Sequence, residues 1–326
     1  MIGPPDIGFR VVVRRLVGVR DGRPSYTDVV GTLLDFGEYA TVQARTGTVA
    51  VPVSEIAAAK RVPPRATPTG AEIAALERIA SAAWPAPHTA RLGEWQLRAA
   101  GGWTGRANSA LPLGDPGLPL DAALAEVAAW YAAQGLPARI NVPLPLRADL
   151  DRALDERGWL RSPRTLVLAG PLPTTLDGTG VALAERPDAD WLRLMAGVKG
   201  EPPEVAYAIL TGPEHVRFAA IRDAGGALLA IGRGALGDGH LHLALIQVVR
   251  PARRQGLARR VIGALAGWAA VLGAHRAYLQ VEEANDAAVT LYRRLGLTTH
   301  HSYFTRERTA PPHAAARGSE RGVRSG

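Results

Sequence analysis

Val248-x-Arg250-x-x-Arg253-Arg254-Gln255-Gly256-Leu257-Ala258 follows an apolar run from Leu241 to Val249, which reads as a buried strand. It opens a stretch from Leu257 to Val271 with apolar residues at helical spacing and no proline. Strand, basic glycine loop and helix start together make a phosphate cradle. The first amides of a helix have no intrahelical acceptor, the helix dipole adds partial positive charge there, and Gly256 lets the backbone come close to an anion. Beyond a second apolar strand, Ala277 to Val281, stands Asn285-x-x-Ala288-x-x-Leu291-Tyr292-x-x-x-Gly296-Leu297, which brings a phenol onto the next helix.

The two patterns at this spacing resemble the acyl-CoA core of the GNAT (Gcn5-related N-acetyltransferase) superfamily. Its loop reads Arg or Gln, two residues, Gly, one residue, Gly or Ala, and Arg253, Gly256 and Ala258 match. The resemblance implies an α/β (α+β) GNAT fold with a mixed central sheet, and acetyl-CoA as co-substrate. It implies that Arg253, Arg254, Gln255, Gly256, Leu257 and Ala258 hold the pyrophosphate, and that the backbone around Ile246 and Val248 pairs with the pantetheine arm. Asn285, with Ala288 one turn later, is expected against the same arm, and Tyr292 is expected to protonate the departing thiolate. Arg250 stands where many members carry proline; here Pro251 is next door.

At 326 residues the chain is long enough for two or three domains with their own cores. No apolar run reaches membrane-spanning length and the first residues lack a signal-peptide core, so the expectation is a cytoplasmic protein with no membrane partner. The sequence has no cysteine, which excludes disulfides, thiolate metal sites and a thiol nucleophile. Acyl transfer would therefore run directly from thioester to acceptor, not by ping-pong. The net charge of +8 is carried almost wholly by arginine, with Lys60 and Lys199 the only lysines. A basic balance suits nucleic acid or an acidic ligand such as CoA. The chain has no dense basic stripe with interleaved aromatics, and several arginines fall in the phosphate loop, so the expected partner is CoA and not nucleic acid.

Residues 9 to 53 alternate apolar and polar positions between turn residues, which predicts four or five strands of a small SH3-like all-β barrel over 1–62, closed by a short helix from Val53 to Lys60. Val62-Pro63-Pro64-Arg65-Ala66-Thr67-Pro68 reads as a linker. A first α/β half is expected over 69–172. Its elements are a helix from Ala71 to Ala83 capped by Thr69, a β-hairpin from Glu94 to Ser109, a helix from Leu120 to Gln134, a strand from Ala138 to Val142, a helix from Leu146 to Arg157 and a strand from Thr165 to Leu168. The order recurs over 180–308: strand 181–184, helix 188–199, hairpin strands 216–221 and 227–236, then the strand, loop and helix quoted first. In the first half Leu113-Gly114-Asp115-Pro116-Gly117-Leu118-Pro119 carry no basic residue and Asp115 would repel phosphate, so only the second half is expected to bind CoA. The plan resembles actinobacterial tandem acetyltransferases with an SH3-like extension, some described as N-acetylglutamate synthases. Their degenerate first half carries Trp-x-Leu-Arg leading to Arg-x-Asn-Ser, here Trp95-Gln96-Leu97-Arg98 and Arg106-Ala107-Asn108-Ser109. Residues 309–326, rich in Pro, Ala, Gly, Arg and Ser, are expected to be disordered.

Acetylation of an amine needs a base, a polarised carbonyl and a proton for sulfur. By period two His240, His242, Ala244, Ile246 and Val248 share one strand face. His242 lies fourteen residues before Gly256, the position at which histone acetyltransferases of the superfamily carry their base Glu, and a neutral imidazole can take a proton near pH 7. Glu282 and Glu283, at the exit of the next strand, are the rivals; Gln247 does not ionise. A backbone N–H near Val248 is implied as the carbonyl's donor. The histidines lack ligand spacing with a third partner, so no metal is expected. Arg98 and Arg106 are candidates to clamp a carboxylate on the acceptor. The reading is an N-acetyltransferase acting on a primary amine of a small molecule such as glutamate. The alternatives are a protein or peptide N-acetyltransferase, or a non-enzymatic acetyl-CoA sensor whose barrel binds RNA or protein. The barrel's remaining roles are packing on the catalytic half or homodimer formation.

Overall fold

The computed structural model describes residues 2–20, 23–44, 46–62, 67–199 and 204–308. The tail 309–326 and residues 63–66 of the expected linker lie outside them. Strands β1 (Arg10–Arg20), β2 (Arg23–Phe36), β3 (Tyr39–Ala44), β4 (Gly47–Pro52) and β5 (Ile56–Arg61) form an antiparallel sheet in the order β4-β3-β2-β1-β5. Alternate apolar residues fill its core, among them Val11, Val13, Leu33 and Val42. The segment expected as a helix over Val53 to Lys60 is one turn, Val53–Glu55, followed by β5. There β5 pairs with the outer edge of β1, and covering that row of backbone groups outweighs the weak helical preference of a short Ala-containing stretch.

Helix α1 (Gly70–Ala83) begins at Thr69, whose hydroxyl accepts from the Glu72 amide while Glu72 answers to the Thr69 amide. The hairpin expected over Glu94 to Ser109 is displaced toward the N-terminus. It joins β6 (His88–Leu92) to β7 (Trp95–Ala99), with Gly93 at φ +54 in the turn. Residues 100–109 are instead a loop built round Asn108. Its Oδ1 accepts from the Ala100 and Gly102 amides (2.7 and 2.9 Å) and its Nδ2 donates to the Thr104 carbonyl (2.8 Å). After β8 (Leu111–Pro112) come α2 (Leu120–Ala133), β9 (Arg139–Leu144), α3 (Ala148–Glu156), β10 (Leu160–Arg161) and β11 (Thr165–Pro171). The rest comprises β12 (Ala182–Ala184), α4 (Ala189–Lys199), α5 (Val205–Thr211), β13 (His215–Arg222), β14 (Leu228–Gly237), β15 (His240–Val248), α6 (Leu257–Val271), β16 (Arg276–Glu282), α7 (Asp286–Arg294) and β17 (Thr298–Glu307).

One mixed sheet of nine strands runs through both α/β segments, in the order β10-β17-β11-β16-β15-β14-β13-β12 with β9 also on β17. Strand β11 lies between β16 and β17, and β17 in turn pairs with β9 and β10. Each segment therefore depends on the other for strand partners. Arg306, almost wholly buried on β17, fastens this exchange: it donates to Asp151 Oδ1 (2.8 Å), Asp155 Oδ1 (2.9 Å) and the carbonyls of Trp159 and Asp151 on the α3 side. Helix α6 covers one face of the sheet through Val261, Ile262, Leu265 and Ala269; α1, α4 and α5 cover the other. Among the described residues no helix is long and apolar enough to cross a membrane.

Arg233 on β14 is also fully buried, with no carboxylate against it. Its Nε donates to the Leu210 carbonyl (2.8 Å) and its Nη2 to those of Ala83 (3.1 Å) and Ile209 (3.4 Å). One guanidinium thus meets the C-terminal carbonyls of α1 and α5, whose partial negative charge makes its burial tolerable. This joint fixes Trp84, the residue that ends α1, over which Arg233 lies at 5.0 Å. If the exchanged strand is held as described, Arg306→Met lowers unfolding free energy in urea by about 3 kcal/mol, the usual loss on breaking a buried pair. A loss below about 1 kcal/mol would show that β17 does not need this anchor.

Candidate active site

The loop ahead of α6 has alternating handedness. Arg254 and Gly256 both take positive φ (66° and 79°), and Gly256 is the N-cap of α6 without a side-chain cap bond. Successive N–H groups in such a backbone curl toward one point and suit an anion. Arg253, Arg254 and Gln255 are exposed around it, while Leu257 turns into the core. Loop and helix start fit the diphosphate of an acyl-CoA.

Strands β15 and β16 run parallel, but their pairing covers only His240–His242 against Arg276–Tyr278. Beyond that point they splay, and the β15 edge facing β16 is left without strand partners. On its other edge β15 stays bonded to β14 through a bulge, where the register slips between Ile231 and Arg233 and Leu245 takes φ +55. The bulge corrects the expected common face. His242, Ala244 and Leu245 turn toward α1, whereas Leu241, Leu243, Ile246 and Val248 pack toward α6. The extra residue inverts the alternation after Ala244.

The splay opens a cleft of about 350 Å³. Leu243, Ala244, Leu245, Gln280, Val281 and Glu282 line it from the two strands, and Trp84, Thr104, Gly105, Arg106 and Tyr303 close its far side. Of the residues expected from the sequence, the structure brings His242, Glu282 and Arg106 together here. It does not bring Arg98. That guanidinium is 1% exposed and occupied by the Ser109 carbonyl (2.9 Å), Ser109 Oγ (3.2 Å) and Ser81 Oγ (3.3 Å). Arg98 is therefore a core strut that holds the loop carrying Arg106, not a clamp for substrate. Arg106 bonds Glu77 (2.9 Å) and has the Tyr303 side chain beside it; its Nε and Nη1 are buried, and neither has a hydrogen-bond partner within 3.5 Å at good geometry. Trp84, Gln280, Tyr303 and Glu77 carry no motif that a single sequence reveals.

His242 stacks on Tyr278 (5.0 Å between centroids) and meets the edge of Trp84 (6.1 Å). Its Nε2 bonds Gln280 Oε1 at 2.9 Å, which puts the ring proton on Nε2 and leaves Nδ1 bare, buried and unpartnered. Burial, helped by the charges of Arg233 and Arg106, pushes its pKa down to about 3. It can accept a hydrogen bond, but it is a far weaker base than the free imidazole assumed from sequence. Glu282 is exposed at the cleft mouth. Tyr292 lies on α7 in the core cluster shared with α6, outside the cleft lining, and burial pushes its phenol up so that it stays protonated. Asn285 caps α7, its Oδ1 accepting from the Ala288 amide (3.2 Å). Among the described residues no group of three or more His, Asp or Glu could hold a metal ion.

Residues 70–305 match the family described as probable histone acetyltransferase Rv0428c C-terminal. The chain belongs to the GNAT superfamily. A Mycobacterium tuberculosis protein named probable histone acetyltransferase Rv0428c is 34% identical over 309 residues, covering 92% of this chain and 95% of the relative. The uncharacterized N-acetyltransferase YobR of Bacillus subtilis is 29% identical over 243 residues, 71% of this chain and 97% of the relative. A GCN5-related N-acetyltransferase from Kribbella flavida shares the fold, with TM-score 0.56 at 20% identity over 76% of this chain and 98% of its own. This GNAT protein is thus an acyltransferase, and its fold implies an acyl-CoA donor.

The depressed His242 pKa has a sign that stability reports. The unfolded imidazole, near 6.5, takes up a proton that the folded one refuses until about pH 3, so this contribution is complete above pH 6.5 and shrinks as pH falls through that window. Between pH 7 and 5 it amounts to about 2 kcal/mol. His242→Phe should lose less stability than the wild type over that interval, measured by urea unfolding at both pH values; equal losses would place the ring in a wetter site.

Proposed function

We propose that this GNAT protein moves acetyl from acetyl-CoA directly to the primary amine of a small molecule that carries a carboxylate, of which glutamate is the model. The observation that carries the reading is Arg106: a nine-tenths buried guanidinium in the cleft wall with two N–H-bearing nitrogens unbonded. Buried donors in native proteins are satisfied, and an unsatisfied set beside a cleft calls for an acceptor from the ligand. The cleft volume, about 350 Å³, falls in the range of small-molecule sites. The name of the M. tuberculosis relative favours a second reading, a protein acceptor.

Acetyl-CoA, when bound, supplies the activated acyl carbon and the thiol leaving group. The amides of Gln255, Gly256, Leu257 and Ala258 and the side chains of Arg253 and Arg254 hold its diphosphate. The unpaired edge of β15 at Ile246 and Val248 aligns the pantetheine arm, with Asn285 and Ala288 across from it. His242 Nδ1 accepts a hydrogen bond from the acceptor amine and orients its lone pair. Glu282 takes the amine proton to solvent at the mouth, a role its exposure allows and the low pKa of His242 does not. Tyr292, kept neutral by burial, donates toward sulfur. The five-stranded sheet is read as an SH3-like barrel that packs on the catalytic sheet, since Arg276 donates to the Gly8 carbonyl (3.2 Å).

Purified protein with acetyl-CoA and a panel of free amino acids and peptides tests the reading. Acetylation of free glutamate is expected; transfer confined to peptides would replace it with the protein-acceptor reading. Tyr292→Phe should lower kcat by about a hundredfold at unchanged acetyl-CoA KM, and unchanged kcat would remove Tyr292 from the chemistry.

A further inference from the structure

Glu77 is left without a role by the reaction as described. It sits inside α1 with none of its side chain exposed, among residues such as Ile73, Leu76 and Ala80 that an apolar side chain would complete. An ionised carboxylate removed from water costs several kcal/mol unless its oxygens are fully engaged. Both are: Arg106 Nη2 donates to Oε2 and His301 Nε2 to Oε1, each at 2.9 Å. Burial by itself would raise the Glu77 pKa, but Arg106 and then His301 outweigh it and hold the acid at about 2.

The chain continues outward. His301 Nδ1 lies 2.9 Å from His300 Nδ1. Strand β17 slips register here, with Val167 opposite His301 and Leu168 opposite Thr299, so His300 is the extra residue of a bulge and turns to meet its neighbour. With Nε2–H given to Glu77, His301 accepts at Nδ1 from the His300 Nδ1–H. All the donors then point toward one carboxylate, and they come from two other parts of the chain, the loop 100–109 and strand β17. On Arg106 this leaves Nε and Nη1 unbonded. Of the two buried arginines near Glu77, Arg106 is the one paired with it and the one in the cleft wall.

We infer that Glu77, oriented by His301 and His300, is a positioning residue that fixes Arg106 in the cleft wall, where its unbonded N–H groups receive the acceptor's carboxylate. The inference rests on the proposed reading that the acceptor carries a carboxylate. An arginine side chain loses much rotamer freedom when it is held in one geometry. Without Glu77 that loss falls on the acceptor, and its binding weakens.

The test compares kcat and KM for glutamate, and for glutamate with each carboxylate amidated, in wild type, Arg106→Met, Glu77→Gln and His301→Phe, with acetyl-CoA KM measured in every preparation. Glu77→Gln keeps size and an accepting oxygen but removes the charge. The expected results are a rise in glutamate KM of tenfold or more in Arg106→Met and Glu77→Gln, and of about threefold in His301→Phe. Acetyl-CoA KM stays within twofold, and the preference for glutamate over one amide derivative is lost. If Arg106→Met leaves glutamate KM and that preference unchanged, the carboxylate reading itself falls. If Arg106→Met shows the loss while Glu77→Gln and His301→Phe keep wild-type acceptor KM, only the positioning role falls. Failure of both Glu77→Gln and His301→Phe to fold also overturns it, because the chain would then serve stability and not the orientation of Arg106.

Discussion

Beyond His242 and Tyr278, β15 and β16 stop exchanging hydrogen bonds, and the rest of the site depends on that break. Parallel neighbours in the middle of a sheet normally continue side by side, because backbone groups left unpaired in the interior are costly. Here the break is kept open from both sides. The bulge at Leu245 holds β15 to β14 while turning its line, and β16 is held away by seven paired positions on β11. The splay yields an unpaired edge suited to an extended, amide-bearing arm. It also yields a cleft beside that edge and a strand exit that delivers the chain into the loop before α6.

The same break explains why the two α/β segments are interlocked. A cleft opened in a sheet needs walls, and one comes from the first segment: Trp84 at the end of α1 and Thr104 to Arg106 in the loop tied by Asn108. These are held by buried polar groups at fixed distances. Arg98 braces the loop from within, Arg233 joins two helix ends beneath Trp84, and Arg306 holds the exchanged strand on which His301 stands. Buried guanidiniums are a costly way to fill a core, and each here is matched by carbonyls or carboxylates with short bonds. Arg106 and Arg233 each keep part of their hydrogen-bonding capacity unused, and of the two only Arg106 lines the cleft.

Much of this was legible in the sequence wherever local signals are strong. The span of α6 from Leu257 to Val271, the cap at Thr69 and the start of α7 after Asn285 follow from apolar spacing and capping residues, and the positive φ of Gly256 from the glycine itself. Local pattern fails where long-range pairing decides. Val53 to Lys60 has helical composition, yet it becomes a turn and a strand because β1 offers an edge. Neither α5 nor β17 announces itself, since each is stabilised by partners far away in sequence. The bulge at Leu245 cannot be seen in an apolar run, and it separates His242 from Ile246 and Val248. Arg98 and Arg106 look equivalent as residues of one motif; only their partners in the fold show that the first is a strut and the second a cleft residue. Glu77 is invisible because a single glutamate in a helix reads as a solvent-facing charge.

If the unpaired edge of β15 and the loop before α6 form one acyl-CoA site and the first segment has none, CoA slows amide hydrogen exchange at Ile246 to Val249 and at Gln255 to Ala258. Exchange measured with and without CoA decides this: protection centred on the turn before α2, around Asp115 to Asp121, with none at the β15 and α6 amides, would place the site in the first segment instead.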